Sequence, residues 1–380
     1  MTVLHLLGAD EDTGGILSVI RNLQNSTAGQ GCTHAVLVNS SYKETRKPSL
    51  SYRHSRYLLA ESPSHFALFA RAMATIPGLL RLLKREPVDV VHAHSRGAFP
   101  LACLLAMSGR SVVFTNHAYA RRTGMYRKAL RLRHFHMVCL TPNMARHYGM
   151  ALDSDRLHII SACCADRFFE LPLVERRAAA SDRPVVRLVG IGNIVRWKNW
   201  HLVLEALGLL DKTDRARFEF HHWGPVSSDA DSQLYRSELD ETVRKLGLGE
   251  QCRFHGQLQD VEKALSGADC FVIPSTNEPC SVALIEALAM GVPAIASASG
   301  GNVDIVYAER TGLLFEPESA VSLAECFKRV LRNQVEFGGG KALRESVRER
   351  CASSVGAKYL VLYGRLLKPR AQGPLAGIAL

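Results

Sequence analysis

Two carboxylates, Glu278 and Glu286, stand eight positions apart in the stretch PSTNEPCSVALIEALAMGVPAIAS, residues 274–297. The preceding DCFVIPS has the apolar make-up of a buried strand, and CSVALIEALAM has helical spacing, so a helix is predicted to begin near Cys280 or Ser281. Its first-turn amides, from Ser281 through Val282 and Ala283 to Leu284, then lack intrahelical acceptors. With the helix dipole they suit a phosphate or diphosphate. Phosphate repels a carboxylate, so each glutamate needs a task of its own. Glu278, ahead of the helix, can accept hydrogen bonds from sugar hydroxyls, and Glu286, two turns in, can take the vicinal hydroxyls of a ribose. Spacing alone fits equally well an acidic residue favouring the dipole and an exposed helical glutamate.

Other residues could join this chemistry. In VGIGNIVRWKNW (189–200), Gly190 and Gly192 follow a strand, but the third glycine of a dinucleotide fingerprint is missing and Arg196, Trp197 and Lys198 occupy the turn. The two cations there suit a diphosphate or a solvated loop, and a nicotinamide cofactor is not expected. In GADEDTGGILSVIRNL (8–23), Gly14 and Gly15 open a helix and permit close approach of a ligand, or they only turn the chain. Asp10, Glu11 and Asp12 beside them read as a solvated loop, not a metal site. VHAHS (91–95) and FTNHAY (114–119) put His94 and His117 where strands run out. YARRTGMYRKALRLRHFH (119–136) carries Arg121, Arg122, Arg127, Lys128, Arg131 and Arg133 with Tyr126, Leu130 and Phe135 interleaved. That stretch is either a basic amphipathic helix at a membrane surface or a solvated face.

These residues need a frame. At 380 residues the chain exceeds one ordinary core, and two domains of about 150–200 residues are expected. Hydrophobic content of 47% with 22% charged residues excludes a disordered chain, and a net charge of +11 points to anionic partners. No recognition motif supports nucleic acid among them. Ten cysteines without a CxxC pair fit a reduced, cytoplasmic protein. Residues 1–13 lack the basic start of a signal peptide, and the longest clean apolar run, Ala98–Met107, is too short to span a bilayer.

Near-continuous apolar strands alternate with helical patterns: 2–7, 34–39, 88–94, 111–116, 137–141 and 157–161, then 185–191, 217–223, 252–256, 269–274, 293–297 and 312–315. This is the pattern of two doubly wound parallel-sheet domains with ligands at the carboxyl ends of the strands. The boundaries are drawn at 1–168, a linker at 169–184, a second domain at 185–352, and a C-terminal helix and tail at 353–380.

The segment PSTNEPCSVALIEALAMGVPAIASASGGNVDIVYAERTGLLFEP resembles the hallmark region of retaining glycosyltransferases of family 4, with Glu-x7-Glu, a Gly-x-Pro strand, a Gly-Gly turn and Thr-Gly-Leu-Leu. The likeness extends upstream through FHGQLQDVEKALSGADCFVIPS and HHWGP and covers most of the second half. It implies a GT-B fold of two Rossmann-like domains facing across a cleft. Glu278 would contact the donor sugar and Glu286 the ribose. Lys198 fits the family's diphosphate-binding lysine, whereas Asn193 stands at the family's arginine position, and Arg196, three residues on, is expected to substitute for it. The resemblance also sets Gly14 and Gly15 opposite the diphosphate and His117 near the reacting carbon, with His94 shaping the floor. The chain departs from the family at IISACCADRFF (159–169), where an Asn-Gly turn is usual, and at Cys280-Ser281, which replace Phe-Gly.

The expected activity is transfer of a sugar from a nucleoside diphosphate sugar to a hydroxyl of a glycan or lipid-linked acceptor, with retention and without metal. Bacterial surface polysaccharide assembly is the expected setting, in the cytoplasm or peripherally on the inner face of the plasma membrane. Two rivals stand beside it: a nucleotide-sugar epimerase of the same fold, and a non-catalytic sugar-nucleotide-binding subunit.

Overall fold

The computed structural model describes residues 1–8, 15–44, 50–56, 64–174, 185–258 and 260–367. Its first sheet is built from β1 (Thr2–Leu6), β2 (Thr33–Asn39), β3 (Ser51–Ser55), β4 (Val90–His94), β5 (Val112–Thr115), β6 (Phe135–Cys139) and β7 (Leu157–Ile159). The second comprises β8 (Val186–Ile191), β9 (Phe218–Trp223), β10 (Cys252–Phe254), β11 (Cys270–Ile273), β12 (Ala294–Ser297) and β13 (Gly312–Phe315). Strand order is β3-β2-β1-β4-β5-β6-β7 in one and β10-β9-β8-β11-β12-β13 in the other, and every pairing is parallel. Chain order reverses between β1 and β4 and between β8 and β11, and such reversals open the crevices where doubly wound sheets take ligands. Only β3 has no counterpart among the predicted strands; SYRHS is a half-exposed edge strand without an apolar run.

The two carboxyl edges face each other. A Cβ built on Gly15, at the start of the helix Gly15–Thr27, would lie 3.9 Å from Val282 at the start of the helix Val282–Ala289. Farther along the cleft, Thr141 comes within 3.0 Å of the position a Cβ on Gly301 would take. The Asn143 amide donates to Asp304 at 2.6 Å.

Two crossings hold the halves together. Residues 163–174 lead into the second domain: Val174 donates its amide to Met290 O at 2.8 Å, and Arg344 donates to Leu171 O at 2.6 Å. The expected linker is therefore docked on the second domain up to Val174, and its remainder, 175–184, lies outside the described residues. In the other direction the helix Ala352–Leu367 returns to the first domain, where Tyr359 and Tyr363 are buried against β4 and β5. Where these crossings meet, the unusual Cys163-Cys164 pair is fully buried, and Asp166 accepts from the Ser353 amide and hydroxyl. Arg350 binds Ser161 at 2.7 Å and the Asp304 carbonyl at 3.0 Å. The cysteines thus fill a dry junction.

Two sequence expectations are corrected here. The basic stretch forms only a six-residue helix, Gly124–Ala129, and the aromatics that gave it an apolar face, Tyr126 and Phe135, are core residues. Its six cations remain exposed, so the stretch is a solvated cationic surface. The longest clean apolar run, Ala98–Met107, lies in the short helix Ser95–Met107, but among the described residues another helix, Phe66–Arg85, is long and apolar enough by length and composition to cross a membrane. It instead packs Leu68, Ala72, Leu79 and Leu83 into the first domain and leaves Phe66, Phe69 and Met73 exposed.

Candidate active site in the interdomain cleft

Past β11 the chain enters the loop that carries Glu278, and the geometry of that loop is set by small residues. Asn277 has a left-handed φ of 56°, and its amide donates to Ser299 Oγ at 2.8 Å. Gly300, at φ 59°, packs so closely that a Cβ there would lie 2.5 Å from Glu278 O; one on Gly301 would lie 2.2 Å from Pro279 O. The Gly301 amide then donates to Glu278 O at 2.7 Å. The Gly-Gly turn is thus a clamp that fixes where the Glu278 side chain emerges.

Lys198 meets Glu278 there, with Nζ 2.5 Å from Oε2 and the two side chains only 12% and 9% exposed. Lys198 leaves a short turn, Arg196–Lys198, which ends on Asn199 in the left-handed region at φ 54°. The Asn199 side chain ties it to Thr276 at 2.7 Å. Turn and glutamate loop are therefore one unit: a cation and an anion nearly out of water, each stabilised by the other. A ligand carrying a diphosphate competes for the cation, and one carrying hydroxyls can satisfy the anion.

The helix begins where predicted. Ser281 is its N-cap, with Oγ accepting from the Leu284 amide at 3.2 Å. This corrects one expectation: Leu284 is capped internally, so the amides left for an anion are those of the first turn, Val282 and Ala283, with Ser281 before them. Glu286 is the fifth residue of the helix, just over one turn in, and only partly accessible. Burial pushes its carboxyl up to about 8, against the pull of Arg167 and with Glu262 adding to the rise. A protonated or easily protonated carboxyl there can both donate to and accept from a diol.

Arg196 does not join this group. Its guanidinium makes bonds of 2.7 and 3.0 Å to Glu238 and 3.0 Å to Asp231, and it lies over the Tyr235 ring. All three partners sit on the helix Ala230–Leu246, so Arg196 is held away from Lys198 by an exposed ion-pair network. Asn193 contributes its carbonyl to Trp200 Nε1 at 3.1 Å, which fixes the turn after β8. Cys280 is a buried thiol 3.5 Å from Ser161 Oγ. Gly14, Asp10, Glu11 and Asp12 lie outside the described residues.

Across the cleft the first domain presents a different surface. His117, just beyond β5, bonds through Nε2 to His94 Nδ1 at 3.0 Å. His94 Nε2 meets His5 Nδ1 at 2.8 Å, and His5 Nε2 meets His34 Nδ1 at 2.8 Å. His5 and His34 were not singled out from the sequence. Their signal was the period-two placement that puts His34, His5, His92 and His94 on one face of three adjacent strands. His5, His92 and His94 also form the one three-ligand group with metal-like spacing among the described residues. All six of their ring nitrogens already have protein partners, His92 bonding Tyr363 and Thr115 at 2.7 and 2.6 Å.

Comparison with known proteins agrees with this geometry. Residues 175–351 match the family model described as glycosyl transferases group 1, and residues 13–163 match the one described as glycosyltransferase family 4. Among curated relatives, a lipopolysaccharide core biosynthesis glycosyltransferase, LpsD of Rhizobium meliloti, is 27% identical over 60% of this chain and 63% of its own length. The chain thus spans less than two thirds of that relative, and 57% of a similar 2-deoxystreptamine N-acetyl-D-glucosaminyltransferase from Niallia circulans. Among solved structures, sucrose-phosphate synthase from Thermosynechococcus elongatus superposes with a TM-score of 0.78 at 19% identity, covering 96% of this chain and 98% of that one. HepE of Anabaena, solved in complex with UDP and glucose, gives 0.71 at 14% identity over 96% and 100%. With its two parallel sheets opposed across a cleft and a glycosyltransferase family model matched in each half, the chain belongs to the glycosyltransferases of the GT-B fold.

Proposed function

We propose that the protein transfers a sugar, with retention at the anomeric carbon, from a nucleoside diphosphate sugar to a hydroxyl of a glycan or lipid-linked acceptor. The observation that carries this reading is the near-dry Lys198–Glu278 pair at the mouth of the Val282–Ala289 helix, facing Gly15 across the cleft. In this reading the donor diphosphate lies between Lys198 and the amides of Ser281, Val282 and Ala283. Their positive ends stabilise charge as it builds on the leaving phosphate, an effect that in enzymes is worth about 10²–10³ in rate per donor removed. Displaced from Lys198, Glu278 accepts from hydroxyls of the transferred sugar, and Glu286 binds the ribose diol. The leaving phosphate oxygen takes the proton of the attacking hydroxyl on the same face, so no protein carboxylate becomes glycosylated. Because Lys198 and the helix dipole do the electrostatic work, no metal is required, and activity survives EDTA.

HepE is described with UDP and with UDP-glucose and LpsD as a lipopolysaccharide core enzyme, so uridine diphosphate sugars and an anionic lipid-linked glycan are the first donor and acceptor to try. The exposed cations at Arg121, Arg122, Arg127, Lys128, Arg131 and Arg133 suit an acceptor at an anionic membrane surface. The test is a donor panel read by thermal shift, then proton NMR of the product formed with the stabilising donor. Retained anomeric configuration in an acceptor-dependent product supports the reading. An isomerised nucleotide sugar formed without acceptor overturns it in favour of an epimerase, and donor binding without any turnover overturns it in favour of a binding subunit.

A further inference from the structure

The histidines of the first domain do more than fill its core. Thr27 Oγ1 lies 2.7 Å from the Leu23 carbonyl and 2.9 Å from His34 Nε2. A hydroxyl has one proton, and a carbonyl can only accept. The Thr27 proton therefore goes to Leu23, and its oxygen accepts from His34 Nε2–H. His34 Nδ1 is then a lone pair, which must accept from His5 Nε2–H; His5 Nδ1 accepts in turn from His94 Nε2–H, and His94 Nδ1 from His117 Nε2–H. One hydroxyl at the inner end thus sets four tautomers, provided every ring is neutral. Burial holds His5 and His94 well below their usual range and pushes His34 and His117 down to about 4. The outermost nitrogen, His117 Nδ1, carries the lone pair at the cleft end of the series.

We propose that Thr27, His34, His5 and His94 form an oriented wire of neutral imidazoles that ends in an unprotonated His117 Nδ1, and that its negative end stabilises positive charge developing on the sugar during transfer. The four inner residues are positioning residues; only His117 would reach the substrate. Imidazole dipoles aligned head to tail polarise one another, each bond strengthening the next by roughly 10–30%. Because they are fixed before reaction, they need not reorganise as the charge appears. No proton moves along the wire. His92 acts as a buttress, its ring centroid 4.1 Å from that of His94 and both nitrogens tied to hydroxyls. The catalytic part rests on the glycosyltransfer reading, whereas the orientation of the wire does not.

The experiment uses the full chain labelled with 15N-histidine, whose two-bond proton–nitrogen correlations identify the tautomer of each ring. The wild type should show Nε2–H at His34, His5, His94 and His117. Thr27→Val, which replaces the hydroxyl with a methyl group of similar size, should scramble these tautomers and lower kcat about tenfold with donor KM within twofold. Thr27→Ser should restore both. Should Thr27→Val not fold, Thr27→Ala serves instead: it removes the same hydroxyl by truncation, so the tautomers should scramble and kcat should fall as for Thr27→Val, and wild-type tautomers with normal kcat overturn the wire. An Nδ1–H signal at His117 in the wild type overturns it outright, and scrambled tautomers with unchanged kcat overturn its catalytic part. A wild type inactive with every donor defeats the glycosyltransfer reading, while the tautomer pattern still decides whether the wire exists.

Discussion

The two edges of the cleft solve the same placement problem with opposite electrostatics. On the second domain, full charges face each other at short range: Lys198 on Glu278, beside a helix N-terminus. On the first, the corresponding strand ends carry imidazoles kept neutral by burial. A diphosphate brings charge that only a cation and amide dipoles can balance, so one side must be ionic. An acceptor hydroxyl and a sugar ring bring none until bonds begin to break. There a neutral, polarisable surface serves better than a fixed charge, which would bind the ground state as strongly as the transition state.

The comparison is broken most severely on the ionic side. Glu278→Gln should lower kcat by two to three orders of magnitude while leaving nucleoside diphosphate affinity intact or improved, since Lys198 loses its competitor. Lys198→Ala should raise donor KM and lower kcat together, because leaving-group charge grows in the transition state. Steady-state kinetics with isothermal titration of the nucleotide separates the two, and a Glu278→Gln variant within a few-fold of wild type would dissolve the assignment.

Next is the clamp. Gly300→Ala places a methyl 2.5 Å from Glu278 O at a left-handed backbone position. The loop has to move, so kcat should fall by about tenfold or more, with a loss of stability of roughly 1–3 kcal/mol. A variant with normal kcat and a normal melting temperature would show that Glu278 needs no such fixing.

On the neutral side the largest expected effect is on stability. His34 and His117 titrate near 4 when folded and near 6.5 when free. Between those values the unfolded chain binds protons that the folded chain refuses, so their contribution is complete above pH 6.5 and is lost as pH falls toward 4. Together they should cost several kcal/mol by pH 4, at roughly 1.4 kcal/mol per pH unit each. Urea midpoints at pH 7.5 and 5 test the sign; a midpoint that rises on acidification would mean the rings are charged in the fold.

Glu286 gives a smaller signature, read in nucleotide affinity instead of stability. Its carboxyl is raised to about 8 by burial. If the ribose diol binds the carboxylate, nucleotide affinity should improve roughly 25-fold from pH 6.5 to 8.5, with proton release on binding. Glu286→Gln should flatten that profile. A wild-type affinity independent of pH would mean that the diol takes the protonated form or lies elsewhere.

What the sequence disclosed follows the range of the interactions involved. Twelve of the strands, the helix start at Ser281 and the position of Glu278 are local matters of pattern and capping, and they were legible. The edge strand Ser51–Ser55 was not, because a half-exposed strand has no apolar run to announce it. The histidine series escaped for another reason: His34, His5 and His94 come from three strands, and only their register brings them together. The basic stretch misled because Tyr126 and Phe135 look like an exposed apolar face until the sheet that buries them is in view.

Arg196 tests the contrast at its finest. Sequence placed it in the diphosphate site as a replacement for the arginine that Asn193 displaces, yet three short charged hydrogen bonds bind it to Glu238 and Asp231 on the far side of its turn. To reach a diphosphate it would have to break them and leave the Tyr235 ring. Lys198, one residue beyond Trp197, already faces the cleft and stacks on that tryptophan at 4.5 Å. Exposed ion pairs contribute little to stability, so Arg196→Ala should leave the fold and both kinetic constants within about twofold of wild type. The same substitution raising donor KM tenfold would mean that the turn rearranges on donor binding. The ionic edge of the cleft would then be assembled by the substrate, and the preformed character of the Lys198–Glu278 pair would no longer explain its strength.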